Sequence, residues 1–117
     1  MTDRQHKILE KFPVAIATVS NGSLPHVAVV AYVKVLDDNH LVITQNYLKK
    51  TVENLKEDPH VCLVVWDENW SGVRVYGVAQ VYSSGEYLDL VKKMPENADE
   101  NPIGAIVVDI QKIEDIE

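Results

Sequence analysis

A chain of 117 residues has room for one compact domain with its own core, and the sequence is read as a single domain over residues 1–117. Its formal net charge of −7 argues against nonspecific nucleic-acid binding, which relies on basic patches, and no apolar run approaches the roughly 20 residues of a membrane span. The polar start MTDRQHKILEKF has no apolar stretch like a signal peptide, and the single cysteine, Cys62, allows no intrachain disulfide, so a cytoplasmic home is expected.

In chain order, residues 3 to 12 predict a short helix with Ile8, Leu9 and Phe12 as its apolar stripe, stopped by Pro13. VAIATVS (14–20) predicts a strand that meets a tight turn at Asn21-Gly22. PHVAVVAYVKVL (25–36) reads as one long strand, and HLVIT (40–44) returns after the turn Asp37-Asp38-Asn39. A short helix over about 51 to 57 ends at Asp58-Pro59, and HVCLVVW (60–66) is apolar enough to be buried on both faces. In VRVYGVAQVYS (73–83), Val73, Val75, Gly77, Ala79 and Val81 face one way, and Arg74, Tyr76, Val78, Gln80 and Tyr82 the other. The small residues Gly77 and Ala79 would let that strand bend or let another backbone approach closely. GEYLDLVKKM (85–94) suggests another helix, and IGAIVVDI (103–110) a last strand. The acidic residues concentrated from Glu86 onward read as a solvated face. About six strands with few helices predict a small antiparallel barrel, which closes its sheet and avoids exposed edges.

The segment ITQNYLKKTVENL (43–55) sets two lysines against this acidic background. Leu48, Val52 and Leu55 fall at i, i+4 and i+7, pinning one side of the helix to the core. Lys49, Lys50 and Thr51 remain at its N-terminal end, where free backbone N–H groups attract anions. Cations there are otherwise unfavourable to the helix dipole, so a bound phosphate would resolve a local conflict. Lys49 pairing with Glu53, and Thr51 capping the helix, account for the same residues equally simply. Local physics leaves both readings open.

Three stretches carry a resemblance to a known family: GSLPHVAVVAYVKVLDDNHLVIT, TQNYLKKTVENLKEDPHVCLVV and VYGVAQVYSSGEYLDLV. Together they resemble, in order and over nearly the whole chain, the small single-domain proteins of the pyridoxamine 5′-phosphate oxidase-like FMN-binding split-barrel superfamily. The resemblance implies a mainly β fold, a six-stranded antiparallel split β-barrel (Greek key) with a few short helices. It also implies a homodimer holding FMN at the subunit interface, and a redox role in electron or hydride transfer. Residue by residue, Lys50 and Thr51 match positions that hold the FMN phosphate, with Lys49 as a helper. Thr44, Gln45 and Asn46 match the strand end along the isoalloxazine edge. Ala28, Val29 and Val30 match the strand passing beneath the ribityl chain and ring. Val29 and Ala31 stand where many relatives carry proline and a large aromatic, and residues 27–32 lack the arginine common in the family's enzymes. The basic substrate-binding residues near the C-terminus of the true oxidases find no match in DIQKIEDIE, so pyridoxamine-phosphate oxidase activity itself is not expected. The alternative is a non-enzymatic module holding a flat cofactor, whether flavin, F420 or haem, for storage or sensing.

Other residues add little chemistry. His6, His40 and His60 make no metal-ligand spacing, so no metal is expected, and His26 reads as a structural residue at the barrel rim. Cys62 reads as an inert core thiol. Trp66 and Trp70 bracket a loop and suit a flat ligand, a partner surface or plain packing. Arg74 is open to a flavin, a substrate or a surface ion pair. No residue stands out as a general acid or base, and the catalytic residues, redox partner and substrate stay unassigned.

Overall fold

The computed structural model describes residues 1–20 and 22–116, so the turn expected at Asn21-Gly22 falls partly outside the described residues. Helix α1 (Asp3–Lys11) begins where Thr2 and Gln5 cap each other: the Gln5 amide donates to Thr2 Oγ1 at 3.1 Å, and the Thr2 amide to Gln5 Oε1 at 2.8 Å. Strands β1 (Val14–Val19), β2 (Pro25–Val30), β3 (Val33–Asp37) and β4 (His40–Gln45) follow. After helix α2 (Lys49–Glu57) come β5 (His60–Trp66) and β6 (Gly72–Tyr82). Helix α3 (Glu86–Lys93), a 3-10 turn (Pro95–Asn97) and β7 (Gly104–Ile116) complete the chain. β6 alternates in burial as its period-2 pattern predicts, whereas β5, expected to be buried on both faces, buries only Val61, Leu63 and Val65 and leaves Cys62 and Val64 half-buried on its other face.

The expectation of a closed six-stranded barrel is corrected in two respects. Among the described residues there are seven strands, in one antiparallel sheet of order β2-β1-β5-β6-β7-β4-β3, and that sheet does not close on itself. The cause is a break at Ala31-Tyr32 inside the apolar run that reads as a single strand. β2 pairs with β1 and β3 with β4, so two residues carry the chain between opposite edges of the sheet. The sheet curls round its core, and no ladder joins β2 to β3.

The concave face holds the main core, with Val14, Ile16, Leu41, Ile43, Leu63, Val75 and Ile106 wholly buried. A smaller cluster on the other side of β4 and β7 places Val42, Ala105 and Val107 under Leu88 and Val91 of α3. β7 continues six residues past the strand expected at 103–110. Its acidic end is not simply solvated: Arg74 Nη1 donates to Glu114 Oε1 at 2.7 Å, and Gln5 Nε2 to Asp115 Oδ1 at 3.1 Å. The bulge opposite Tyr76/Gly77 leaves Gln111 of β7 unpaired, and the small residue at 77 permits the close backbone approach expected of it: an added Cβ there would lie 2.5 Å from the Asp109 carbonyl oxygen.

Candidate functional site

The site grows from the end of β4. Gln45 pairs with Gly104 of β7, then Asn46, Tyr47 and Leu48 turn the chain into α2. Leu48 is the N-cap of that helix, in the left-handed region at φ 54° and ψ 37°, and no side chain caps the helix there. A bulky residue in that region is rare, and such strain costs about 1–3 kcal/mol where it is maintained. The first intrahelical bond runs from the Val52 amide to the Leu48 carbonyl at 2.9 Å. The amides of Lys49, Lys50 and Thr51 therefore have no partner in the helix, as at any helix start.

Facing this turn is the break between β2 and β3. Val29, Val30, Ala31 and Tyr32 on one side, with Thr44, Asn46, Tyr47 and Leu48 on the other, enclose a cleft of about 190 Å³. The structure thus brings Val29, Val30, Thr44 and Asn46 together, and sets Lys49 and Lys50, both exposed, one and two residues beyond the cleft wall. Among the described residues neither lysine has an ion-pair partner, Glu53 included. Asn46 Oδ1 is buried without a hydrogen-bond partner. A buried acceptor left unmade costs about 1–3 kcal/mol, so this atom suits a donor brought by a ligand.

Three of the expected site residues point elsewhere. Gln45 lines a separate groove between α2 and β6, and its Nε2 donates to the Tyr47 carbonyl at 3.3 Å. Ala28 is half-buried against the main core. Thr51 is 0% exposed and faces inward with Asn54 and Leu55; its Oγ1 has no partner and it does not cap the helix. Beside it, Asn54 Nδ2 donates to Thr18 Oγ1 at 3.0 Å, so the underside of α2 is more polar than its Leu48, Val52, Leu55 stripe implies.

One contact at the site has no signal in the sequence. Asn97, from the polar loop after α3, donates through Nδ2 to Thr44 Oγ1 at 2.9 Å. The two residues lie 53 positions apart, and no spacing rule connects them.

Outside the cleft, Arg74 is held by Glu114, which keeps the arginine charged and lowers the glutamate's pKa. Tyr76 lies under Lys112, whose Nζ is 5.8 Å from the ring centroid. Trp66 and Trp70 are exposed, Trp70 with φ 63° at the tip of the β5–β6 loop. Burial pushes the Cys62 thiol above its ordinary pKa, which disfavours the reactive thiolate. Three of the four histidines pair with carboxylates: His6 with Glu10, His60 with Asp58, and His40 with both Asp37 and Asp109.

Comparison with known proteins agrees with this architecture. The family model described as pyridoxamine 5′-phosphate oxidase matches residues 1–117. An uncharacterised protein of Methanocaldococcus jannaschii, MJ0282, is 33% identical over 97% of this chain and 78% of its own. The crystal structure of Group A Streptococcus HupZ superimposes with a TM-score of 0.92 at 18% identity, covering 99% of this chain and 94% of that one. An FMN-binding protein from Syntrophomonas wolfei gives 0.86 at 22% identity, over 98% of this chain and 85% of the other. The chain belongs to the pyridoxamine 5′-phosphate oxidase family, within the FMN-binding split-barrel superfamily.

Proposed function

We propose that this protein binds FMN noncovalently in the cleft between the β2–β3 break and the β4–α2 turn, and serves as a redox flavoprotein. The observation that carries the reading is the uncapped start of α2. Two exposed lysines, unpaired among the described residues, and free amides stand there, next to a cleft containing Asn46 Oδ1, which has no partner among those residues. A phosphate at this end is stabilised by the helix dipole, the amides and both ammonium groups. Within the cleft Thr44 and Asn46 offer polar contacts and Val29 and Val30 apolar ones, the mixture that orients a flat, polar-edged ring. Thr51 fits the phosphate role less directly, because its hydroxyl is covered. The backbone amide of that residue, in the first turn, is the better donor.

When bound, FMN supplies the electron or hydride transfer; the protein sets its position, exposure and potential. Oxidation of pyridoxamine phosphate is not assigned. Residues 27–32 contain no arginine, and β7 ends in acidic residues engaged with Arg74, Arg4 and Gln5.

The functional unit is proposed to be a homodimer. A cleft of about 190 Å³ is smaller than the roughly 300–1,000 Å³ of a cofactor pocket, so a second wall is needed. A titration of the purified protein with FMN, followed by flavin fluorescence and visible absorption, tests the reading. Saturable one-to-one binding per chain is expected, weakened more than tenfold by Lys49→Ala with Lys50→Ala. Unchanged affinity in that variant removes the phosphate assignment. Absence of FMN binding with tight binding of F420 or haem replaces the cofactor.

A further inference from the structure

The Asn97 amide makes two contacts that together fix its orientation. Nδ2 lies 2.8 Å from the Val91 carbonyl oxygen and 2.9 Å from Thr44 Oγ1. A backbone carbonyl only accepts, so the atom facing Val91 is the nitrogen, and the ambiguity usual for an asparagine amide is resolved by its neighbour. Both amide hydrogens are then committed, one to Val91 and one to Thr44. Thr44 Oγ1 is consequently an acceptor toward Asn97, and its own hydrogen must point away from that nitrogen. Among the described residues no acceptor is recorded for it, and Thr44 lines the cleft. Asn97 itself is 2% exposed and held by its backbone, whose amide donates to the Met94 carbonyl at 3.0 Å while its carbonyl accepts from Glu100 at 3.0 Å.

We infer that Asn97 is a positioning residue that locks the Thr44 hydroxyl as a hydrogen-bond donor aimed into the cleft, toward an acceptor atom on the flavin ring edge. The identity of that acceptor rests on the flavin reading above; the lock on Thr44 does not. A free threonine hydroxyl can serve as donor or acceptor and changes role with its rotor. Here the protein has settled the role before a ligand arrives, which removes a reorientation cost on binding. The Val91 bond ties the device to the last turn of α3, so the helix and the polar loop after it reach the cleft through one side chain.

Two measurements test this. In the ligand-free protein, three-bond NMR couplings to the Thr44 hydroxyl proton are expected to show one O–H orientation, and Asn97→Ala is expected to release it into several. Averaged couplings already present in the wild type overturn the lock. In FMN titrations Thr44→Val and Asn97→Ala should each weaken binding about five- to tenfold and shift the flavin absorption maximum, as loss of one buried hydrogen bond predicts. Thr44→Ser, which keeps the hydroxyl, should lose less affinity than Thr44→Val. Because Asn97 acts through Thr44, the double variant should bind no more weakly than Thr44→Val alone. Multiplicative losses, or affinity loss in Asn97→Ala that tracks only its thermal unfolding midpoint, overturn the inference. A wild type with an ordered Thr44 that binds no FMN refutes the flavin reading and leaves the lock standing.

Discussion

An added Cβ at Gly77 would lie 2.5 Å from the Asp109 carbonyl oxygen and 2.7 Å from Val108 Cγ1. The first of these is backbone in the β6–β7 ladder, and it cannot withdraw without breaking that ladder. Gly77→Ala is therefore expected to destabilise the fold by about 1–3 kcal/mol, the range for overpacking a filled core, as a lower urea midpoint at unchanged slope. Gly104 provides the contrast. Its added Cβ would meet Gln45 Oε1, the far end of a flexible side chain, so substitution there should cost less. A second single-residue effect concerns pH. His40 lies 2.8 Å from Asp37 through Nδ1 and 3.1 Å from Asp109 through Nε2, and the hydrogen bond to Asp37 raises its pKa. Asp37 is lowered chiefly by the Asn39 amide and next by His40. A raised histidine stabilises fully below its ordinary value of about 6.5 and loses that contribution as pH rises through the folded value. A lowered aspartate stabilises above about 3.9 and loses it as pH falls. The group thus contributes most between about pH 4 and 6.5. His40→Gln should flatten the decline in unfolding midpoint between pH 6 and 8, and the difference should shrink in high salt because the group is exposed.

At the scale of the element, α2 carries a conflict between stability and the proposed function. Its first turn has no acidic residue and two lysines, against the preference of a helix start for negative charge. Lys49→Glu with Lys50→Glu should raise stability by about 0.3–1 kcal/mol per site while abolishing FMN binding. A gain in unfolding midpoint with unchanged FMN affinity would mark the lysines as surface decoration. The helix itself was legible from its apolar spacing and from Asp58-Pro59, although its start lies two residues earlier than expected. The inward turn of Thr51 and Asn54 was not, because a polar residue buried against Thr18 breaks no pattern that a single sequence displays. Ala31-Tyr32 hid the split between β2 and β3 for a related reason. No glycine, proline or charge marks that break within an apolar run, so a single strand and a closed barrel were the natural reading. The cleft walls at Val29, Val30 and Asn46 came only from the family resemblance, Thr44 also from its place at a strand end, and Asn97 from neither source, since loop-to-strand contacts leave no periodicity.

At the scale of the whole molecule, the convex face of β2-β1-β5 is apolar across three strands and meets Arg74 and Tyr76 on β6. Register places Val29, Ala15, Val64 and Arg74 in one row, and Val27, Ala17, Cys62 and Tyr76 in the next, all on one side of the sheet. Val27 is 63% exposed and Val29 69%, far more than isolated β-branched residues on an edge strand need be. Arg74 of β6 with Glu114 of β7, and Lys112 of β7 over Tyr76, border this patch with charge. An apolar centre with a charged rim is the arrangement of a protein interface. Val29 also lines the cleft, so a second copy seated on this face would supply the wall that the small cleft lacks. Val27 and Val64 belong to the patch and not to the cleft, which makes them the discriminating positions. Sedimentation of the wild type is expected to give twice the chain mass of 13.2 kDa. Val27→Glu with Val64→Glu should give a monomer whose far-ultraviolet spectrum is retained and whose FMN affinity falls at least tenfold. A monomeric wild type, or a monomeric variant that binds FMN as the parent does, would separate the cofactor site from the interface and remove the second copy from it.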